Sequence, residues 1–258
     1  MARNTTYRIA LPEQDLNFII QTVAPEAKNT AQLKQLINED QSFREGLLSD
    51  QKLFQRVTSS SPLILGISPL LLFEVLLRRA VTEMKEATHT IERTVSLRIP
   101  VFDINEVLGL LEEGDVLYYL VHLLVTFVRY EKGTVSDIGI DRLVKLGKAA
   151  KGEYRFLFYK RIADTCLLIL GIFPEYVMYD YVYLFSKKKP PLSGEPRKSM
   201  GDYETLGQEF YALAAEHETA KIRGLRETLR LLSENFYLAK KPLNLVSEHY
   251  LAIATKNP

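Results

Sequence analysis

The sequence has no tryptophan, and it carries one cysteine, four histidines and four methionines in 258 residues. A lone Cys166 excludes an intramolecular disulfide, and with no Cys-x-x-Cys pair the usual frames for structural zinc and thiol exchange are missing. Also absent are Gly-x-x-x-x-Gly-Lys-Ser/Thr, Gly-x-Gly-x-x-Gly, Gly-x-Ser-x-Gly and His-Glu-x-x-His, the common phosphate, dinucleotide, hydrolase and metalloprotease devices. Neither sign of charge dominates: 33 Lys and Arg against 32 Asp and Glu leave a net +1, so no global field draws the chain to nucleic acid or an anionic membrane. Nucleic acid is therefore not an expected partner. The longest apolar stretches, 62–77, 116–128 and 165–177, fall short of the roughly 20 residues that cross a bilayer. They are expected to be core helices, not spans. The first residues, Met1 to Glu13, hold charge but no apolar core of the kind a secretory signal needs, and with a single cysteine the expected location is the cytoplasm.

What is there is ordinary globular material, 47% hydrophobic and 25% charged, with enough chain to bury a large core. Almost every periodic segment has helical spacing, with Gly and Pro falling between segments, so the expected class is all-α. The expected architecture is one multi-helix bundle over 1–258 built on two or three buried helices. Peripheral helices occupy 1–60 and central ones 62–186. A mobile, basic, Pro-rich loop fills 187–201, and C-terminal helices over 202–258 pack back on the bundle.

In more detail, Phe43 to Val57 reads as two short helices broken at Ser49-Asp50, and Ser61-Pro62 reads as a helix start. Leu70 to about Arg93 reads as one long helix. Thr94 to Phe102 alternates like a strand, demoted to an edge by Pro100. Asp103 is a natural N-cap. Val116–Lys132 and Glu153–Phe173 are the two central helices. Ile222, Leu225, Leu229, Leu232 and Phe236 share a face, and Leu243 opens the final helix.

Chemistry centres on Ile162-Ala-Asp-Thr-Cys-Leu-Leu-Ile-Leu-Gly-Ile-Phe-Pro-Glu175, where Asp164 opens an apolar run. A carboxylate in such surroundings needs a partner or shifts its pKa. Lys160 and Arg161, four and three residues earlier, can reach it. On the other central helix Tyr118, His122, Thr126 and Tyr130 recur every fourth residue, a polar stripe from which His122 could act as acid, base or ligand. Should His122 face Asp164, the pair would form a proton-transfer dyad. A structural ion pair and a core histidine bonded to a neighbour explain the same residues. Cys166, among leucines, reads as an inert small hydrophobe. Glu86-Ala-Thr-His89 is the one Glu-x-x-His spacing, half of what a di-metal bundle requires, so no metal and no cofactor is expected. Lys187, Lys188, Lys189, Arg197 and Lys198 form the basic loop. Tyrosines from Tyr176 to Tyr183 could face a partner.

Ile162 to Glu175, with Tyr203-Glu-Thr-Leu and Leu243-Asn-Leu-Val-Ser-Glu-His-Tyr250, resembles a group of bacterial helical proteins without assigned activity. That resemblance implies a bacterial cytoplasmic origin and brings no catalytic residues. The expected function is a non-catalytic interaction or regulatory protein, its partner another protein or a second copy. The alternative is a small-molecule-binding protein or enzyme with a pocket between the central helices, its catalytic residues Asp164, His122 and Arg161 and its ligand contacts Tyr118 and Thr165.

Overall fold

The computed structural model describes residues 9–59, 65–93, 97–113, 115–130, 139–174, 177 and 198–251. The expected Ser61-Pro62 helix start, the tyrosines from Tyr176 to Tyr183, and Lys187, Lys188, Lys189 and Arg197 lie outside them. The class is all-α: among the described residues there are thirteen helices and one two-stranded hairpin.

Four short helices come first: α1 (Glu13–Val23), α2 (Thr30–Glu39), α3 (Gln41–Leu48) and α4 (Gln51–Thr58). Their starts follow local chemistry. Asn29, Asp40 and Asp50 each accept a backbone N–H of the first turn that would otherwise lack a partner, and the break at Ser49-Asp50 is where the sequence places it. Leu16, Ile19, Ile37, Leu48, Leu53 and Val57 bury against one another and against Leu71 and Val75 of α5 (Pro69–Glu86), forming a small core.

Helix α5 begins at Ser68-Pro69, where the serine Oγ accepts from the Leu71 N–H and the proline has no N–H that would need an acceptor. Ser68 is itself held by buried Asp15 of α1, which accepts from its backbone N–H at 2.8 Å and its hydroxyl at 2.5 Å. The opposite face of α5 carries Phe73, Leu76, Leu77, Ala80 and Met84 into a second, larger core that extends to Val246.

The helix ends at Glu86, not near Arg93. Thr90–Arg93 forms β1, antiparallel to β2 (Arg98–Val101), with Thr90 opposite Val101, Ile91 opposite Pro100, Glu92 opposite Ile99 and Arg93 opposite Arg98. The β-branched Thr88, Thr90 and Ile91 favour the pleated form over a further helical turn. His89 thus leaves the helix that carries Glu86 and packs against Phe102 with the rings tilted by 55° and their centroids 5.8 Å apart.

Next come α6 (Ile104–Glu112), α7 (Val116–Tyr130), α8 (Ile140–Ala149) and α9 (Gly152–Ile172), then α10 (Met200–Glu216), α11 (Glu218–Ile222), α12 (Arg226–Glu234) and α13 (Phe236–His249). Helix α9 is central: α8, α10 and α13 pack on it, and α10 also packs on α12. Ser199 and Asp202 open α10 with a reciprocal capping box. Gly224, at φ +66°, separates α11 from α12, so Ile222 is 78% exposed while Leu225, Leu229, Leu232 and Phe236 are buried. The five-residue face expected from the sequence therefore loses its first member.

The last helix starts seven residues earlier than its apolar spacing suggests and runs through Pro242. Proline takes one N–H out of the ladder, but Phe236, Ala239, Lys240 and Lys241 of the preceding turns are all buried, and that packing holds the turn together. From α13, the Asn244 amide donates to the Leu170 and Gly171 carbonyls at 2.8 and 2.9 Å, and the Ser247 hydroxyl to Ile172 at 2.7 Å. These are carbonyls at the C-terminal end of α9, where intrahelical donors run out.

Close approach at this crossing leaves no room for a side chain at residue 171, where a Cβ would lie 2.7 Å from Leu243. We expect Gly171→Ala to lower stability by about 1–3 kcal/mol through overpacking. By contrast, Gly46→Ala in α3, with nothing within 4 Å of the added carbon, should raise it by about 0.5–1 kcal/mol. Urea unfolding followed by circular dichroism separates the two.

Burial raises the Asp15 pKa above its ordinary 3.8, against the bonds from Ser68 and the charge of Arg44. The folded state thus holds this proton more tightly than the unfolded chain, so the contribution favours folding at low pH and is lost as pH rises through the raised pKa. Relative to the wild type, Asp15→Asn should therefore be more stable at pH 7 than at pH 3.5. Paired urea titrations at the two pH values would contradict this if the difference kept a constant size.

Candidate functional site

Three buried polar clusters hold the residue types from which a site could be built. The first surrounds Asp164 of α9, which is 9% exposed. Its Oδ1 accepts from the hydroxyls of Tyr119 on α7 and Tyr211 on α10, the latter at 2.9 Å, and its Oδ2 accepts from Lys160 at 2.6 Å. Lys160 Nζ also lies 4.7 Å from the centre of the Tyr119 ring. One carboxylate therefore ties three helices together and is satisfied on both oxygens. Its partner on α7 is Tyr119 and its cation is Lys160, and none of its bonds comes from His122 or Arg161. His122 and Arg161 are half-buried on α7 and α9, and Thr165 turns its hydroxyl back to the Arg161 carbonyl at 2.8 Å. Burial pushes the Cys166 thiol far up, as expected for an unreactive core residue.

The second cluster sits between the two cores. Arg44 of α3 and Glu74 of α5 are fully buried. The Arg44 guanidinium grips Glu74 through Nε at 3.1 Å and Nη2 at 2.5 Å, and its Nη1 donates to the Ile9 carbonyl at 3.0 Å. Arg78, one turn along α5, donates to the same carboxylate at 3.0 and 3.2 Å and to the Tyr118 hydroxyl at 2.9 Å. Glu45 stands 3.5 Å from Arg78 at the rim. Burial works to lower the Arg78 pKa, but the charge of Glu74 reverses that, with Tyr118 and Glu45, and the guanidinium is held more strongly protonated than usual. Burial likewise raises the Tyr118 phenol. Tyr118 thus belongs to a different cluster from Asp164, although Tyr119 beside it completes the Asp164 group.

The third cluster joins the hairpin to α13. Lys240 donates to Glu204 and, at 2.9 Å, to Glu92; Lys241 donates to Asp103 and, at 2.9 Å, to the Thr90 hydroxyl. Both ammonium groups lie over the Tyr237 ring, at 4.7 and 4.1 Å from its centre. Asp103 occupies the N-cap position of α6 but makes no side-chain cap bond, its carboxylate being taken by Lys241 and Thr90. Neither lysine stood out in the sequence, because two cations before a proline look like the end of a helix; only the long-range contact with residues 90–103 reveals them.

Among the described residues no group of three or more His, Cys, Asp or Glu side chains is arranged to hold a metal ion, and no helix is long and apolar enough to cross a membrane. Of the basic loop, Lys198 pairs with Asp141 at 2.5 Å.

The hairpin has a second face. Register and pleat put Thr90, Glu92, Ile99 and Val101 on the side of α13, and Ile91 and Pro100 on the other, where Phe102 follows at 78% exposure and Ile91 at 42%. Leu97, at 62%, stands near the tip. No family model, no curated protein and no solved structure matches this chain.

Neutralising the shared carboxylate of the second cluster leaves the fully buried Arg44 without its counter-ion and Arg78 with only Glu45 at the rim. We expect Glu74→Gln to cost about 3–5 kcal/mol in urea unfolding, and Glu45→Gln at the exposed rim to cost less than about 1 kcal/mol.

Proposed function

We propose that this protein is a non-catalytic interaction protein, bacterial and cytoplasmic in setting. One observation carries the reading: Asp15, Glu74 and Asp164, the buried carboxylates among the described residues, each have both oxygens engaged by protein donors, while the outward face of the hairpin leaves large apolar side chains in water. A working acid or base keeps an oxygen for substrate; a docking protein keeps apolar surface.

The pocket reading has one observation of its own, the convergence of two tyrosine hydroxyls and a lysine on Asp164, a buried polar cluster between helices of the kind that orients a small molecule. Native mass spectrometry of the protein purified from its own host, followed by analysis of what denaturation releases, decides between the two. We expect no stoichiometric metabolite, and Asp164→Asn to lower the unfolding midpoint by an amount equivalent to about 1–3 kcal/mol without changing what is bound. A bound small molecule that disappears in Asp164→Asn would sink the interaction reading.

A further inference from the structure

We propose that the hairpin is a latch, one that opens cooperatively while the helical body stays folded. Met84 and Ile104 are the nearest residues on either side of it that belong to a hydrophobic core, and among the described residues between them only Thr90 is buried. None of the described apolar side chains of the hairpin is buried: Ile91 and Ile99 are 42% exposed, Leu97 62% and Phe102 78%. Lifting the hairpin therefore gives up little apolar packing. The bonds that tie it to the body are polar. Glu92 accepts from Lys240 at 2.9 Å beside the Tyr237 phenol, and the Thr90 hydroxyl accepts from Lys241 at 2.9 Å and donates to Asp103 at 2.6 Å.

Both lysines are held twice. Lys240 has Glu92 from the hairpin and Glu204 from α10; Lys241 has Thr90 from the hairpin and Asp103 from the start of α6. The Tyr237 ring beneath both ammonium groups sits on α13 with them. A buried ammonium that loses its last carboxylate is costly, but each of these keeps one when the hairpin leaves, while Glu92 and the Thr90 hydroxyl pass into water. The closed state is thus favoured by a few bonds over an open state with no stranded charge, which is what a two-state element requires. A two-stranded ladder alone in water is marginal, so a released hairpin also loses its strand pairing, and opening can be read in its amides. Only the closed state holds Ile91, Pro100 and Phe102 together as one surface. The latch does not depend on what the protein binds.

The test is hydrogen–deuterium exchange of the full chain, read by mass spectrometry in peptides over 88–102 and 236–249. In the wild type the hairpin amides should exchange about a hundred-fold or more faster than those of α13, at a rate that low urea leaves unchanged, yet slower than in an unstructured peptide. Two single variants should then move that rate in opposite directions. Glu92→Gln removes a bond made only in the closed state and should speed hairpin exchange about ten-fold. Glu204→Gln removes the carboxylate that Lys240 keeps on opening, so closure becomes the one arrangement that pairs it. Hairpin exchange should then slow about ten-fold, even as the urea midpoint of the whole protein falls. Circular dichroism confirms that both variants are folded. The proposal is overturned if hairpin and α13 exchange alike, if the hairpin amides are unprotected, or if Glu92→Gln changes nothing. It is overturned too if Glu204→Gln speeds hairpin exchange or leaves it unchanged, since ion pairs that merely brace one fixed structure would make both substitutions loosen it.

Discussion

A single carboxylate, that of Glu74, sits where the two cores of the protein meet. It accepts from Arg44 of α3 and from Arg78 of its own helix, and Arg78 carries the contact on to Tyr118 of α7. Desolvating three charges is expensive, and their mutual attraction repays it only when every donor and acceptor is met. Here each guanidinium nitrogen of Arg44 has an acceptor, with the Ile9 carbonyl serving Nη1. The consequence is positional: the small N-terminal core has one arrangement against α5 that leaves no buried charge alone, and apolar packing by itself would tolerate several.

Helix α7 extends the same logic. Tyr118 and Tyr119 are adjacent in sequence and about 100° apart around a helix, so one reaches the Glu74 group and the other the Asp164 group. Two ionic clusters that share no residue are thereby held in fixed relation by one helix. The interior is apolar in bulk and polar at its junctions, and the junctions specify which helix meets which.

Much of this was legible beforehand. Helical periodicity, the break at Ser49-Asp50 and the burial of α7 and α9 are local signals, and they came through because the 3.6-residue repeat and its interruptions act over a few residues; Asp103, read as an N-cap, gives its carboxylate to Lys241 and Thr90 instead. The sequence also marked Asp164 as a carboxylate in need of partners and ranked Lys160 among them. It did not reveal Tyr119 or Tyr211, because nothing local distinguishes a tyrosine that meets a carboxylate more than forty residues away. The polar stripe pointed to Tyr118 and His122, and the turn of the helix gave Asp164 to Tyr119. The helix extended too far past Glu86 for a similar reason: Ile91 fits a helical repeat as well as a strand, and the pairing of Ile91 with Pro100 that settles the matter is not visible in one strand alone.

Helix α13 seals the C-terminal end of α9 through Asn244 and Ser247, while Leu243 presses on Gly171 between them. Two polar pegs and one steric stop work like the wards of a lock. Sliding α13 by one residue, a rise of about 1.5 Å with a turn of about 100°, would uncover carbonyls in a dry interior and drive a leucine into a backbone. The two helices therefore have no neighbouring register to fall into, and any motion that α13 passes to the hairpin through Lys240 and Lys241 has to carry α9 along with it.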